Sequence, residues 1–177
     1  MNLYRWMMVC LLASSLPAQT WVKGQIGFRL NTVPKDCPAE RAGLKIGDIL
    51  ADPEGVRAAI KNKTPLPVFR FDPAKAAYNR EEIALAFRPA EERKLGVIGD
   101  LGFLVTSIEP KSLGARAKLR VDDFLPQLDG SFVHDVQDLA LVDRAFADGI
   151  EVNIHVWRWQ PEKGAFVKSI IVQNYKK

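Results

Sequence analysis

The chain has 177 residues, 47% of them hydrophobic and 26% charged, with a formal net charge of +4. This is ordinary globular composition and excludes a low-complexity or disordered protein. Basic residues are spread along the chain, and the densest charged run, Glu91-Glu92-Arg93-Lys94, carries its own counterions, which argues against a nucleic-acid interface of clustered Lys/Arg.

In chain order, residues 1–18 read as a secretory signal: Arg5 is the positive flank, residues 6–13 are apolar, and residues 14–18 form a small-residue exit. Cleavage after Ala18 and cleavage after Ser15 both fit. The apolar run is short of the roughly 20 residues that span a bilayer, so the expectation is an exported protein, periplasmic or secreted, off the membrane once the signal is removed. Cys10 does not follow the lipoprotein pattern. Cys37 is then the only cysteine, no internal disulfide forms, and a buried, inert thiol is expected.

The first module, residues 19–89, opens with a strand over 20–22, a turn at Lys23-Gly24-Gln25, and a strand over 26–33. In the latter, Ile26, Phe28 and Leu30 alternate with Gly27, Arg29 and Asn31, the period of a half-buried strand. Pro38 and Gly43 bracket a short helix. Residues 45–48 turn into a strand over 49–51, a stunted helix follows over 54–61, and a hairpin over 67–71 and 82–87 folds around Asp72-Pro73. The module boundary falls near Pro89.

The second module, residues 90–177, has a strand over 95–98, a turn at Gly99-Asp100 and a strand over 101–108. Ser112 caps a short helix. Asp135 caps a longer one, with Asp138 as its capping partner and Val136, Leu139, Val142 and Phe146 on one face. A hairpin over 151–159 and 165–172 closes the chain.

The modules repeat at an offset of 75 residues. Ungapped identities are Val22/Val97, Gly24/Gly99, Gly27/Gly102, Phe28/Phe103, Arg41/Arg116, Ala42/Ala117, Leu44/Leu119, Asp48/Asp123, Leu50/Leu125 and Gly55/Gly130. Chance supplies about two in such a window, so this is a tandem repeat of one small unit.

The stretch Cys37-Pro38-Ala39-Glu40-Arg41-Ala42-Gly43-Leu44-Lys45-Ile46-Gly47-Asp48-Ile49-Leu50, in its order of elements, resembles the PDZ domain. The nearer match is the bacterial type appended to high-temperature-requirement serine proteases, here without the protease domain. The resemblance implies a mainly β fold with short helices: two PDZ-like, partly open β-barrels or sandwiches in tandem. It also implies a non-enzymatic protein that binds partners' C-termini or extended peptides by strand addition. Lys94, Leu95, Gly96 and Val97 resemble the carboxylate-binding loop, and Ile98 leads into the adjacent strand. Val136, Leu139 and Ala140 are expected to form the opposite wall of the same pocket, and His134, near the start of that helix, to touch a ligand's penultimate side chains. Leu95, Val97 and Leu139 are equally well read as simple core residues.

In the first module Trp21 stands where the second has Gly96, so that loop is expected to be closed. Lys118 and Asp122 replace Gly43 and Gly47, which predicts a strained or rebuilt turn. His134 and His155 sit in no catalytic arrangement with Ser, Cys or Asp, and His134-Asp135-x-x-Asp138 reads as a helix cap rather than a metal site. His155, Trp157 and Trp159 share a strand face expected to pack the modules together. No cofactor is expected. Two other readings stay open: an assembly scaffold whose grooves bind no peptide, and a trans-acting regulator of a separate exported protease.

Overall fold

The computed structural model describes residues 21–85, 87–88 and 94–173. The signal-sequence expectation lies outside these residues, as do Pro89 at the expected module boundary and the charged run over 91–93. The chain is mainly β with short helices. In order, the elements are β1 (Val22–Thr32), α1 (Pro38–Arg41), β2 (Ile49–Ala51), α2 (Pro53–Asn62), β3 (Leu66–Asp72), β4 (Ala77–Ile83), β5 (Ile98–Ile108), α3 (Leu113–Arg116), β6 (Phe124–Leu128), β7 (Ser131–Phe132), α4 (Val136–Ala147), β8 (Val152–Gln160) and β9 (Ala165–Gln173). Among the described residues no helix is long and apolar enough to cross a membrane.

Among the described residues all nine strands belong to one curled sheet, ordered β4-β3-β2-β1-β5-β6-β8-β9, with β7 beside β6. The order is symmetric about the central antiparallel pair. Gly27 pairs with Gly102, and these are repeat equivalents, so a pseudo-two-fold axis passes between them. The axis exchanges β2 with β6, β3 with β8 and β4 with β9.

The two long central strands replace the two expected hairpins. Residues 23–25 and 99–100 lie within β1 and β5, with no turn at either place. The glycines there serve close approach instead. A Cβ on Gly24 would lie 1.9 Å from the Leu104 carbonyl oxygen, and one on Gly99 would lie 2.0 Å from that of Arg29. Neither glycine has a positive φ. Glycine serves both a left-handed turn and a backbone contact, and here it serves the contact.

Each central strand crosses from one half of the molecule to the other. Trp21 and Val22, at the start of the first repeat, are buried with Phe103, Leu139, Val142 and Phe146 of the second. Leu95 is buried with Leu30, Leu50, Val56 and Val68 of the first, and Val97 packs against them. The halves therefore complete one another's cores. A third apolar group, Ile49, Leu104 and Phe124 with Phe69, Tyr78 and Trp157, lies between them on the concave face. There the hairpins meet ring to ring: Phe71 lies 4.8 Å from Trp159 and 4.7 Å from Phe166, and Tyr78 lies 5.8 Å from Phe166. Trp157 and Trp159 thus pack the two halves together.

The local signals behave as their chemistry requires. Ser112 accepts from the Ala115 N–H, and Asp135 and Asp138 form a reciprocal capping box on α4. Cys37 is half-buried and caps α1, its Sγ accepting from the Glu40 N–H. Helix α2 is a full ten residues rather than stunted, because Val56 and Ala59 bury against β2 and β3. Strand β4 begins at Ala77, five residues before the expected start of its strand, because the turn after Asp72 is short. Lys118 and Asp122 keep the left-handed conformation of Gly43 and Gly47, with φ of +53° and +71° against +81° and +91°. The turn is retained with its strain.

Candidate functional site

The exchange of strand ends divides the residues expected to share one pocket. Lys94, Leu95, Gly96 and Val97 face α2 of the first repeat. His134 and Val136 lie exposed at the start of α4, and Leu139 is fully buried in the other half beneath Trp21. Ala140 is half-buried on the same helix. Ile98 opens β5, opposite Thr32 of β1, and its side chain is exposed. The loop and the α4 wall do not meet, because residues 94–97 precede the crossing of β5 and α4 follows it.

Each half nevertheless pairs a loop with a helix, and the pairing is reciprocal. In the second half, the Trp21 ring occupies the place beside α4 and its Nε1–H donates to the Leu139 carbonyl at 2.7 Å. The Trp21 carbonyl accepts from the Ser112 hydroxyl and the Glu109 N–H. That position is plugged. In the first half, Gly96 stands at the equivalent place and leaves a groove of about 450 Å³ between residues 94–97 and α2. Its apolar lining is Phe28, Leu50, Val56 and Ile60, with Arg57 and Lys94 at the rim. Gly96 is exposed with φ +72°, and a Cβ there would sit 3.1 Å from Cβ of Cys37. The Ala39 N–H donates to the Leu95 carbonyl and ties the loop to α1.

The repeat also carries a matched ion pair, one in each half. Asp48, 2% exposed, accepts from Arg70 Nε at 3.0 Å and Nη2 at 2.7 Å, and from the Lys45 N–H. Asp123, 1% exposed, accepts from Arg158 Nε at 2.7 Å and Nη2 at 2.5 Å, and from the Arg120 N–H. Each arginine also donates to the residue closing its turn, Gly43 or Lys118. The hydrogen bond to the aspartate holds each guanidinium pKa above its ordinary value. Bidentate pairing with a backbone donor satisfies a buried carboxylate, so the repeated Asp is a structural anchor for the turn. The sequence showed the aspartates but not their arginines, which lie at a second offset of 88 residues (Arg70 to Arg158) because the second repeat carries extra residues between Gly130 and Arg158.

A second concave region lies on the inner face of the sheet. Arg29 is 5% exposed, its guanidinium carbon 4.6 Å above the Trp157 ring and 5.2 Å from that of Phe166. Burial pushes the Tyr78 hydroxyl far above the ordinary phenol range, partly offset by the nearby Arg29. Burial also raises the Asp122 carboxyl, against the hydrogen bond it accepts from the Tyr78 N–H. Among the described residues no group of three or more His, Cys, Asp and Glu is arranged to hold a metal ion. No protein-family model and no curated protein matches the sequence.

Proposed function

We propose that the chain is a non-enzymatic peptide-binding protein whose open site is the composite groove between residues 94–97 and α2. The observation that carries this reading is the asymmetry of the repeat. One loop–helix groove is filled by Trp21, while its equivalent carries Gly96 and is empty enough for an apolar side chain. An exposed glycine with left-handed backbone lets an anion approach the loop, and Lys94 adds positive charge at its rim. Val56 and Ile60 supply the apolar wall, so an extended peptide would set its last side chain there and its terminal carboxylate at the loop. The resemblance to PDZ domains supports the same chemistry, with α2 in place of the expected α4 wall.

The test is a calorimetric and NMR titration with short peptides ending in Val, Ile or Phe, free or amidated. Binding of the free acids, with shifts at residues 94–97 and along α2, is the expected result. Ile60→Trp should fill the groove and weaken binding at least about tenfold, whereas Leu141→Trp on α4 should not. This choice avoids Gly96, where any side chain strains a positive-φ backbone. Equal binding of acid and amide, or indifference to Ile60→Trp, would sink the proposal.

A further inference from the structure

We propose a second binding site, on the concave face of the sheet, that takes a small organic carboxylate with a flat apolar body. It is distinct from the peptide groove. The starting observation is Arg29. Among the described residues its guanidinium joins no ion pair, although the side chain is 5% exposed. Its Nη1 donates to Asn31 at 2.9 Å, and its Nε has no partner. The rings of Trp157 and Phe166 hold the cation in place without neutralising it.

Among the described residues no neighbouring carboxylate pairs with it. Asp100 stands opposite Arg29 in the strand register but makes no ion pair with it. Asp48 lines the same cleft with both oxygens committed to Arg70 and the Lys45 N–H. A buried, unpaired charge is costly, and the repeat shows that this fold does not require one. Across the pseudo-two-fold axis the position of Arg29 is held by Leu104, 1% exposed in an apolar cluster. The symmetry is broken where an apolar residue would pack.

The cleft that Arg29 lines has a volume of about 830 Å³, within the range of small-molecule sites, roughly 300–1,000 Å³. Trp157 lines it too, and its buried Nε1–H has no acceptor. Trp159, Phe166 and Phe71 provide flat apolar walls, and Lys45 sits at the mouth. The Arg29 Nε–H and the Trp157 indole N–H are two donors without acceptors that a carboxylate would satisfy, and the rings enclose an apolar body.

The experiment titrates the ¹⁵N-labelled full chain with 3-phenylpropanoate and, in parallel, with 3-phenylpropanamide and inorganic phosphate. The acid is expected to bind and to move the Trp157 indole and Arg29 Nε–H signals, and the amide to bind at least about tenfold more weakly. Arg29→Leu, which installs the residue found across the axis, should fold and lose acid binding, and Trp157→Phe should weaken it. Should Arg29→Leu fail to fold, the acid–amide comparison on the unaltered chain decides. Equal affinity for acid and amide would overturn the proposal. So would binding by phosphate but not the acid, shifts confined to residues 94–97, or unchanged acid binding in Arg29→Leu.

Discussion

Replacing Trp21 with alanine tests the exchange of strand ends. Trp21 begins the first repeat, yet it is 2% exposed in the core of the second half. A buried tryptophan removes on the order of 200 Å² from water, worth about 5 kcal/mol at ~25 cal/mol per Å². Trp→Ala substitutions in cores cost about 3–5 kcal/mol, so Trp21→Ala should destabilise by about 4 kcal/mol in urea unfolding. Trp21→Phe keeps most of the area but leaves the Leu139 carbonyl without the indole donor, a loss of roughly 1–2 kcal/mol. The decisive assay is native-state hydrogen exchange. Protection should fall in α4, β6 and β8, which share the core that Trp21 fills, before it falls in β3 and β4. Loss of protection confined to β3 and β4 would refute the crossed arrangement, because Trp21 would then be stabilising its own repeat.

Three further outcomes follow from the geometry. Arg158→Ala strips the buried Asp123 carboxylate of its bidentate partner and should cost about 3–5 kcal/mol by urea denaturation; Arg70→Ala should cost a similar amount through Asp48, and a loss below about 1 kcal/mol in both would contradict the anchor role. Lys118→Gly removes an exposed side chain from a left-handed residue at φ +53° and should raise the unfolding free energy by roughly 0.5–1 kcal/mol; no gain would mean the turn relaxes at no cost. The Tyr78 hydroxyl is held above its unfolded value of 10.0 in the folded chain, so its contribution is complete below pH 10 and declines as pH rises further. Urea midpoints between pH 8 and 11 should therefore drop for the native chain and drop less for Tyr78→Phe.

Much of the local structure was legible in the residues. Pro38, Ser112 and Asp135 marked helix starts through capping chemistry that depends only on neighbours in sequence, and α1, α3 and α4 begin there. The closing hairpin expected over 151–159 and 165–172 is the pair β8 and β9. The candidate groove was legible in part. Gly96 and its flanking Leu95 and Val97 were identified, but their wall was assigned to Leu139 and Ala140 rather than Val56 and Ile60. The assumption behind that assignment, that each repeat packs on itself, has no counterpart in periodicity, because a strand's alternation is the same whichever body it is buried against.

The sequence by itself determined a mainly β chain with short helices, the repeat, the caps and the final hairpin, all products of contacts near in the chain or of a pattern copied within it. Only the tertiary structure decided that Gly24 and Gly99 admit an opposing backbone, that β1 and β5 pair across the axis, and that Trp21 fills one groove while Gly96 opens the other. It also decided that Arg29 is buried where Leu104 stands in the second repeat. These features depend on which distant surfaces come together, and packing energy between non-adjacent residues leaves no periodic mark on the chain that carries it.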